Sequence, residues 1–137
     1  MTRSRPITGG TMVLDSEGLA KAVLRDRDVT RWLETARVVD MRVITSAATL
    51  VEVVHPRINR PALEWSLSRI VIEPVSESIA RHAGALLADA GVHGHKYAID
   101  AMVGATALAA PGPVTVLTSD PEDLTALCGR RVTVIKI

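Results

Sequence analysis

Val114-Thr115-Val116-Leu117-Thr118-Ser119-Asp120-Pro121-Glu122-Asp123-Leu124 opens with a β-branched, apolar run and passes straight into a helix start. The run carries no charge on either face, which suits a strand covered on both sides. Asp120 before Pro121 then reads as a helix start. The pattern recurs near the beginning of the chain, where Thr11-Met12-Val13-Leu14 also ends in an acid, Asp15. Strands of this kind belong in a parallel sheet with helices on both faces. In such sheets chemistry gathers at the carboxyl ends of the strands, near the point where strand order reverses. Both acids stand at such ends.

Outward from these two strands, the chain alternates β-branched and amphipathic runs. Further strands are predicted at 42–45, 70–73 and 132–137. Helices are predicted at 16–25, capped by Ser16, and at 28–37, capped by Asp28. Others cover 47–55, stopped by Pro56, and 61–69, with Pro61 in the first turn. The last three cover 76–91, opened by Ser76, then 98–109, and 120–128. A loop containing His93, Gly94 and His95 separates the helix at 76–91 from that at 98–109. Residues 1–10 read as a flexible tail and 11–137 as one domain, in an α/β class with a central, mostly parallel sheet.

The chain has 137 residues, 47% of them hydrophobic and 23% charged, with a net charge of +1. This balance suits a globular fold and excludes a polyanion-coating protein. There is no Phe, one Tyr and two Trp (Trp32 and Trp65), so aliphatic side chains must fill the core. That count leaves few aromatic platforms for single-stranded bases. The lone Cys128 excludes an internal disulfide framework and reads as a packed core residue. No stretch suits a membrane span or a signal peptide, so a cytoplasmic protein is expected. Thirteen arginines accompany only three lysines. Arg favours bidentate recognition of carboxylate or phosphate, although a genomic bias explains the count equally well.

Most acids have ordinary surroundings, but Glu52 and Asp100 do not. Glu52 lies within Ala47-Ala48-Thr49-Leu50-Val51-Glu52-Val53-Val54, and Asp100 within Ala98-Ile99-Asp100-Ala101-Met102-Val103. Helices that apolar are expected to be buried on several sides, where an unpaired carboxylate is costly. With Asp15 and Asp120, four carboxylates are expected to converge. Two carboxylates about 4 Å apart repel by roughly 4 kcal/mol at an effective dielectric of 20. A divalent cation relieves that repulsion, and an all-oxygen donor set points to Mg²⁺ or Mn²⁺. Such ions lower the pKa of a bound water and clamp phosphate oxygens, which suits phosphodiester hydrolysis. Plainer roles stand beside this one. Asp15, Asp100 and Asp120 are each able to cap a helix, and Glu52 to pair with an Arg. His93 and His95 fit a solvated loop better than a metal site.

Four stretches together resemble the acidic motifs of PIN domains, and most closely those of VapC-type toxins from bacterial toxin–antitoxin pairs. They are Val13-Leu14-Asp15-Ser16, residues 46–52, Asp100-Ala101-Met102-Val103-Gly104-Ala105-Thr106-Ala107, and Leu117-Thr118-Ser119-Asp120-Pro121-Glu122-Asp123-Leu124. The resemblance spans residues 11–137. It implies a three-layer α/β/α fold and a Mg²⁺- or Mn²⁺-dependent ribonuclease silenced by a cognate antitoxin. By position it implies metal and catalytic roles for Asp15, Glu52, Asp100 and Asp120, an additional acid at Asp123, and supporting hydroxyls at Ser16 and Thr118. Leu124 departs from the aromatic residue common at that place. A homodimer is expected, because the resemblance implies pairing, as family members usually pair, and because a helix as apolar as 98–109 calls for cover from a second copy. The antitoxin is expected to place an Arg among the four acids and an apolar stretch along Leu19, Val23, Trp32 and Leu33. The alternative is a catalytically silent module that keeps the fold for RNA or partner binding. A phosphoacceptor receiver domain fits less well, since no Lys follows Thr118 until Lys136.

Overall fold

The computed structural model describes residues 9–137. Five strands, β1 (Thr11–Leu14), β2 (Arg42–Ser46), β3 (Val71–Glu73), β4 (Val114–Thr118) and β5 (Thr133–Lys136), form one sheet. Their order is β3-β2-β1-β4-β5 and every pairing is parallel. The sheet expected to be mostly parallel is therefore parallel throughout, and strand order reverses between β1 and β4.

Among the described residues seven α-helices cover its faces: α1 (Ser16–Val23), α2 (Arg27–Val38), α3 (Leu50–Val53), α4 (Arg60–Ser68), α5 (Glu77–Ala90), α6 (Gly94–Ala109) and α7 (Pro121–Cys128). Alternation along the strands divides the core in two. Met12, Leu14 and Leu117 pack with Leu19, Val23, Ala36 and Leu63, from α1, α2 and α4. Val13, Val114 and Val116 pack with Ala83, Leu86, Val103 and Leu124, from α5, α6 and α7. This is the three-layer α/β/α arrangement. Aliphatic residues fill both cores, as the composition requires, and Cys128 is fully buried in the second.

Several local boundaries differ from expectation. Asp15 rather than Ser16 caps α1, its carboxylate accepting from the Gly18 N–H at 2.7 Å. Asp26 rather than Asp28 caps α2, accepting from Val29 N–H at 3.1 Å. In both places two capping residues are neighbours or near neighbours, and the backbone uses the earlier. The predicted helix at 47–55 is only a 3₁₀ turn (Ala47–Thr49) followed by the four-residue α3. Ser46 caps the turn; the chain is extended at Val54 and turns at 55–58, where Pro56 prevents the helix from resuming. The predicted Gly/His loop is largely helical: α6 begins at Gly94 and kinks at Tyr97, leaving His93 and His95 exposed.

The apolar helix expected to need a second copy is covered within the chain. Ala101, Val103, Ala105 and Ala107 of α6 are fully buried against α5, α7 and the sheet. Gly104 permits the close approach, since a Cβ there would stand 3.0 Å from Cys128 Sγ. The burial argument for a homodimer therefore fails. The expected tail falls on residues 1–8, outside the described residues, and on Gly9 and Gly10. Gly10 is buried, and its carbonyl accepts from Arg42 N–H at 3.0 Å. Among the described residues no helix is long and apolar enough to cross a membrane.

Gly10 has φ +76°, and an added Cβ would lie 1.9 Å from the Pro113 carbonyl oxygen. Gly10→Ala is expected to lower stability by more than about 2 kcal/mol, read from the urea midpoint.

Candidate active site

Asp15 and Asp120 follow β1 and β4, on either side of the point where strand order reverses. The two strand ends are joined directly, Asp15 N–H donating to the Leu117 carbonyl at 3.3 Å. Asp15 is the rigid member, 6% exposed and held by the Gly18 N–H. Burial raises its pKa, while the hydroxyl of Thr118 and the Gly18 N–H act against that rise. Thr118 Oγ1 also accepts from Asp120 N–H at 3.0 Å, so one hydroxyl serves both strand ends. Asp120 occupies the N-cap position of α7 without making a capping bond through its side chain. The simple cap reading of Asp120 is therefore set aside.

Asp100 arrives from the other face. It is the seventh residue of α6, too far inside the helix to cap it. Its carboxyl pKa is pushed up to about 6, first by burial and then by the charges of Asp123, Asp15, Glu52 and Asp120. These are the same carboxylates that the sequence singled out, and they form one electrostatic group around Asp100. Among the described residues no hydrogen bond or ion pair meets the side chains of Asp100, Asp120 or Asp123.

Glu52 differs from expectation. It is exposed, as is Val51 at 79%, because α3 is too short to bury the segment. Among the described residues no Arg pairs with it. Glu52 Oε1 instead accepts from the Ser16 hydroxyl at 2.5 Å, which fastens α3 to the start of α1. Ser16 thus supports the acids through Glu52.

As the side chains stand, no three His, Cys, Asp or Glu residues among those described are close enough to hold an ion. The donor chemistry nonetheless fits a hard divalent cation. It is all oxygen, and the three aspartates without bonds are free to turn toward a shared centre.

Two surface concavities lie away from these acids. One of about 460 Å³ lies beside Leu86, Cys128 and Arg131. A larger cleft of about 840 Å³ runs between α1, α2 and α4. Of the four residues expected along a partner groove, Leu19 and Leu33 line this cleft. Val23 is buried beneath, and Trp32 packs against the core. Trp65 of α4 and five arginines line the cleft as well. Arg27, Arg31 and Arg37 belong to α2 and Arg25 stands just before it, while the packing of α4 adds Arg69.

The family model described as PIN domain matches residues 12–127. Among solved structures, the chain resembles a VapBC2 complex of Rickettsia felis bound to a promoter DNA fragment, with 17% identity and a TM-score of 0.71. That match covers 93% of this chain and 98% of the other. It also resembles a DNA-bound VapBC of Salmonella typhimurium, with 17% identity, 92% and 97% coverage and a TM-score of 0.66. For FitAcB of Neisseria gonorrhoeae the values are 23%, 92% and 97%, and 0.55. Among curated proteins, none matches the sequence.

The raised pKa of Asp100 ties stability to pH. The folded state holds this proton more tightly than the unfolded chain, so the contribution of Asp100 falls as pH rises from about 4 to about 6. Asp100→Asn is expected to raise the melting temperature above pH 6 without added metal. It should also flatten the pH dependence between 4 and 6, as read by thermal denaturation in a pH series.

Proposed function

The chain belongs to the PIN domain family, and from that premise we propose that it is a metal-dependent endoribonuclease toxin of the VapC type, silenced by a cognate antitoxin. One observation carries the reading. Carboxylates from β1, β4 and α6 gather at the reversal point of a parallel sheet, with no cation paired to them among the described residues. Such a group is costly by itself and matches a centre of positive charge.

Asp15, Asp100 and Asp120 would hold Mg²⁺ or Mn²⁺, with Glu52 and Asp123 beside them. When bound, the cation lowers the pKa of a water and clamps phosphate oxygens, which is the chemistry of phosphodiester hydrolysis. The chain supplies positioning. Gly18 N–H holds the Asp15 carboxylate in place, and with the Thr118 hydroxyl it opposes the rise that burial imposes on its pKa. Ser16 keeps Glu52 turned toward α1. Asp100, whose carboxyl sits near pKa 6, gives up its proton when positive charge enters the group. An RNA phosphodiester is the proposed substrate and the cytoplasm the proposed setting.

The antitoxin is proposed to place an Arg among the acids, where its fork satisfies two carboxylate oxygens at once. An apolar stretch of the same segment would lie along Leu19 and Leu33. Leu14 lines the cleft and Asp15 is the next residue, so the two surfaces adjoin. The homodimer rests on the family resemblance alone. Light scattering at tens of micromolar decides it, a strict monomer removing it from this reading.

Mn²⁺ at a hundred times its Kd is expected to stabilise the protein by about 2.7 kcal/mol, seen as a rise in melting temperature. Asp100→Asn should lose most of that rise. Asp15→Asn, Asp100→Asn and Asp120→Asn are each expected to lower RNA cleavage at least about 100-fold with the fold intact, and Glu52→Gln to lower it in the same assay. Asp89→Asn, on an exposed face of α5, should cleave like the wild type. A wild type that neither cleaves RNA nor responds to Mn²⁺ would leave the catalytically silent module as the better reading.

A further inference from the structure

We propose that the cleft between α1, α2 and α4 takes a protein segment that is apolar along its centre and acidic along its edge, read by two arginines stacked on Trp65. This rests on the reading of a protein partner given above and adds the chemistry of the segment in the cleft.

The floor of the cleft is aliphatic, with the half-buried Leu33, Met41 and Ile70 among its residues. Its rim is cationic. Arg25, Arg27, Arg31, Arg37 and Arg69 line it, against only two acids, Glu34 and Asp40. Such a surface is complementary to an amphipathic segment bearing carboxylates.

Trp65 organises the rim. It is 49% exposed although large and apolar. The guanidinium carbons of Arg25 and Arg69 lie 4.6 and 5.1 Å from its ring centroid. Both distances lie within cation–π range, so the ring attracts both guanidinium groups. Neither group meets a carboxylate among the described residues. The two are thus held in place with their donors unspent, a geometry suited to bidentate capture of carboxylates.

The backbone adds an independent sign. Arg25 stands just past the end of α1 with φ 57°, in the left-handed region. Glycine is the residue favoured there. The chain carries instead the side chain that reaches Trp65.

A protein segment fits better than RNA. The aliphatic floor offers nothing to a phosphate backbone, and the guanidinium groups cover the ring on which a base would stack. The adjoining acids give the segment a polarity. Its acidic, apolar part lies along the cleft, and its cationic end lies over Asp15, Asp100 and Asp120.

The test is selection of a random library of helix-forming peptides on the full chain. The binders are then measured by calorimetry against the wild type, Arg25→Gly and the Arg25→Gly/Arg69→Gln pair. The library should yield peptides rich in Leu, Ile or Val on one face and in Asp or Glu beside it. Replacing their Glu by Gln should weaken binding at least about tenfold, and the paired substitution should cause a similar loss. Arg25→Gly should melt no lower than the wild type, because glycine suits that φ, so weaker binding by this variant reports lost recognition. Three results would overturn the inference: no binders, binders without acidic side chains, or equal affinity for the Gln versions. Displacement of the peptide by a short single-stranded RNA, lost with the same arginines, would assign the cleft to RNA instead. Acid-dependent peptide binding by a wild type that cleaves no RNA would sink the nuclease reading and keep this one. RNA cleavage without acid-dependent binding would do the reverse.

Discussion

Negative charge collected at the reversal point of a parallel sheet is the constraint on which this fold turns. Asp15 and Asp120 flank that point, and Asp100 is brought to them by α6 from the second core. Each added carboxylate raises the cost of ionising the next, and the effect converges on Asp100. The arrangement persists because two aliphatic cores, one on each face, hold the sheet and α6 regardless of that repulsion. Packing supplies the stability, and the acids consume part of it. A cluster of this kind, with perturbed carboxylates at a strand-order reversal, is what the proposed cation site requires.

Small local devices set the aim of each carboxylate. Gly18 allows α1 to start tightly over β4, since a Cβ there would lie 3.1 Å from the Leu117 carbonyl oxygen. Its N–H then reaches Asp15, so the cap that starts α1 also orients a site residue. Thr118 couples the two strand ends through one hydroxyl. The positive counterpart is kept apart, on the rim of the cleft between α1, α2 and α4. Opposite charges on adjoining surfaces give a partner segment both an anchor and a direction.

The sheet was legible because β-branched runs without charge have few other uses. The acids at their ends were legible because strand ends are where such sheets place chemistry. Asp100 stood out for a similar reason, as a carboxylate within an apolar run. Glu52 was placed in the site for a reason that does not hold. Its apolar neighbours suggested burial, but α3 stops after four residues and leaves Val51 and Glu52 in solvent. The partner of Glu52, Ser16, lies 36 residues away; sequence pattern offers it only as a cap, and its role as a supporting hydroxyl came from the family resemblance. The all-round apolarity of α6 likewise says that the helix is covered, without saying by what. Three elements of the same chain provide the cover. The cationic cleft was legible only in part: Arg25, Arg27, Arg31 and Arg37 lie close together in and just before α2, but Arg69 and Trp65 join them only through the packing of α4.

The central claim, that these carboxylates form one cation-binding group, is tested most directly by calorimetric titration of Mn²⁺ near pH 6 and at pH 8. Each titration is run in two buffers that differ in ionisation enthalpy. Asp100, with its carboxyl near pKa 6, must lose its proton as positive charge enters. The account predicts release of about half a proton per ion near pH 6, almost none at pH 8, and tighter binding at pH 8. Absence of Mn²⁺ binding at both pH values, or binding undiminished in Asp100→Asn, would contradict it.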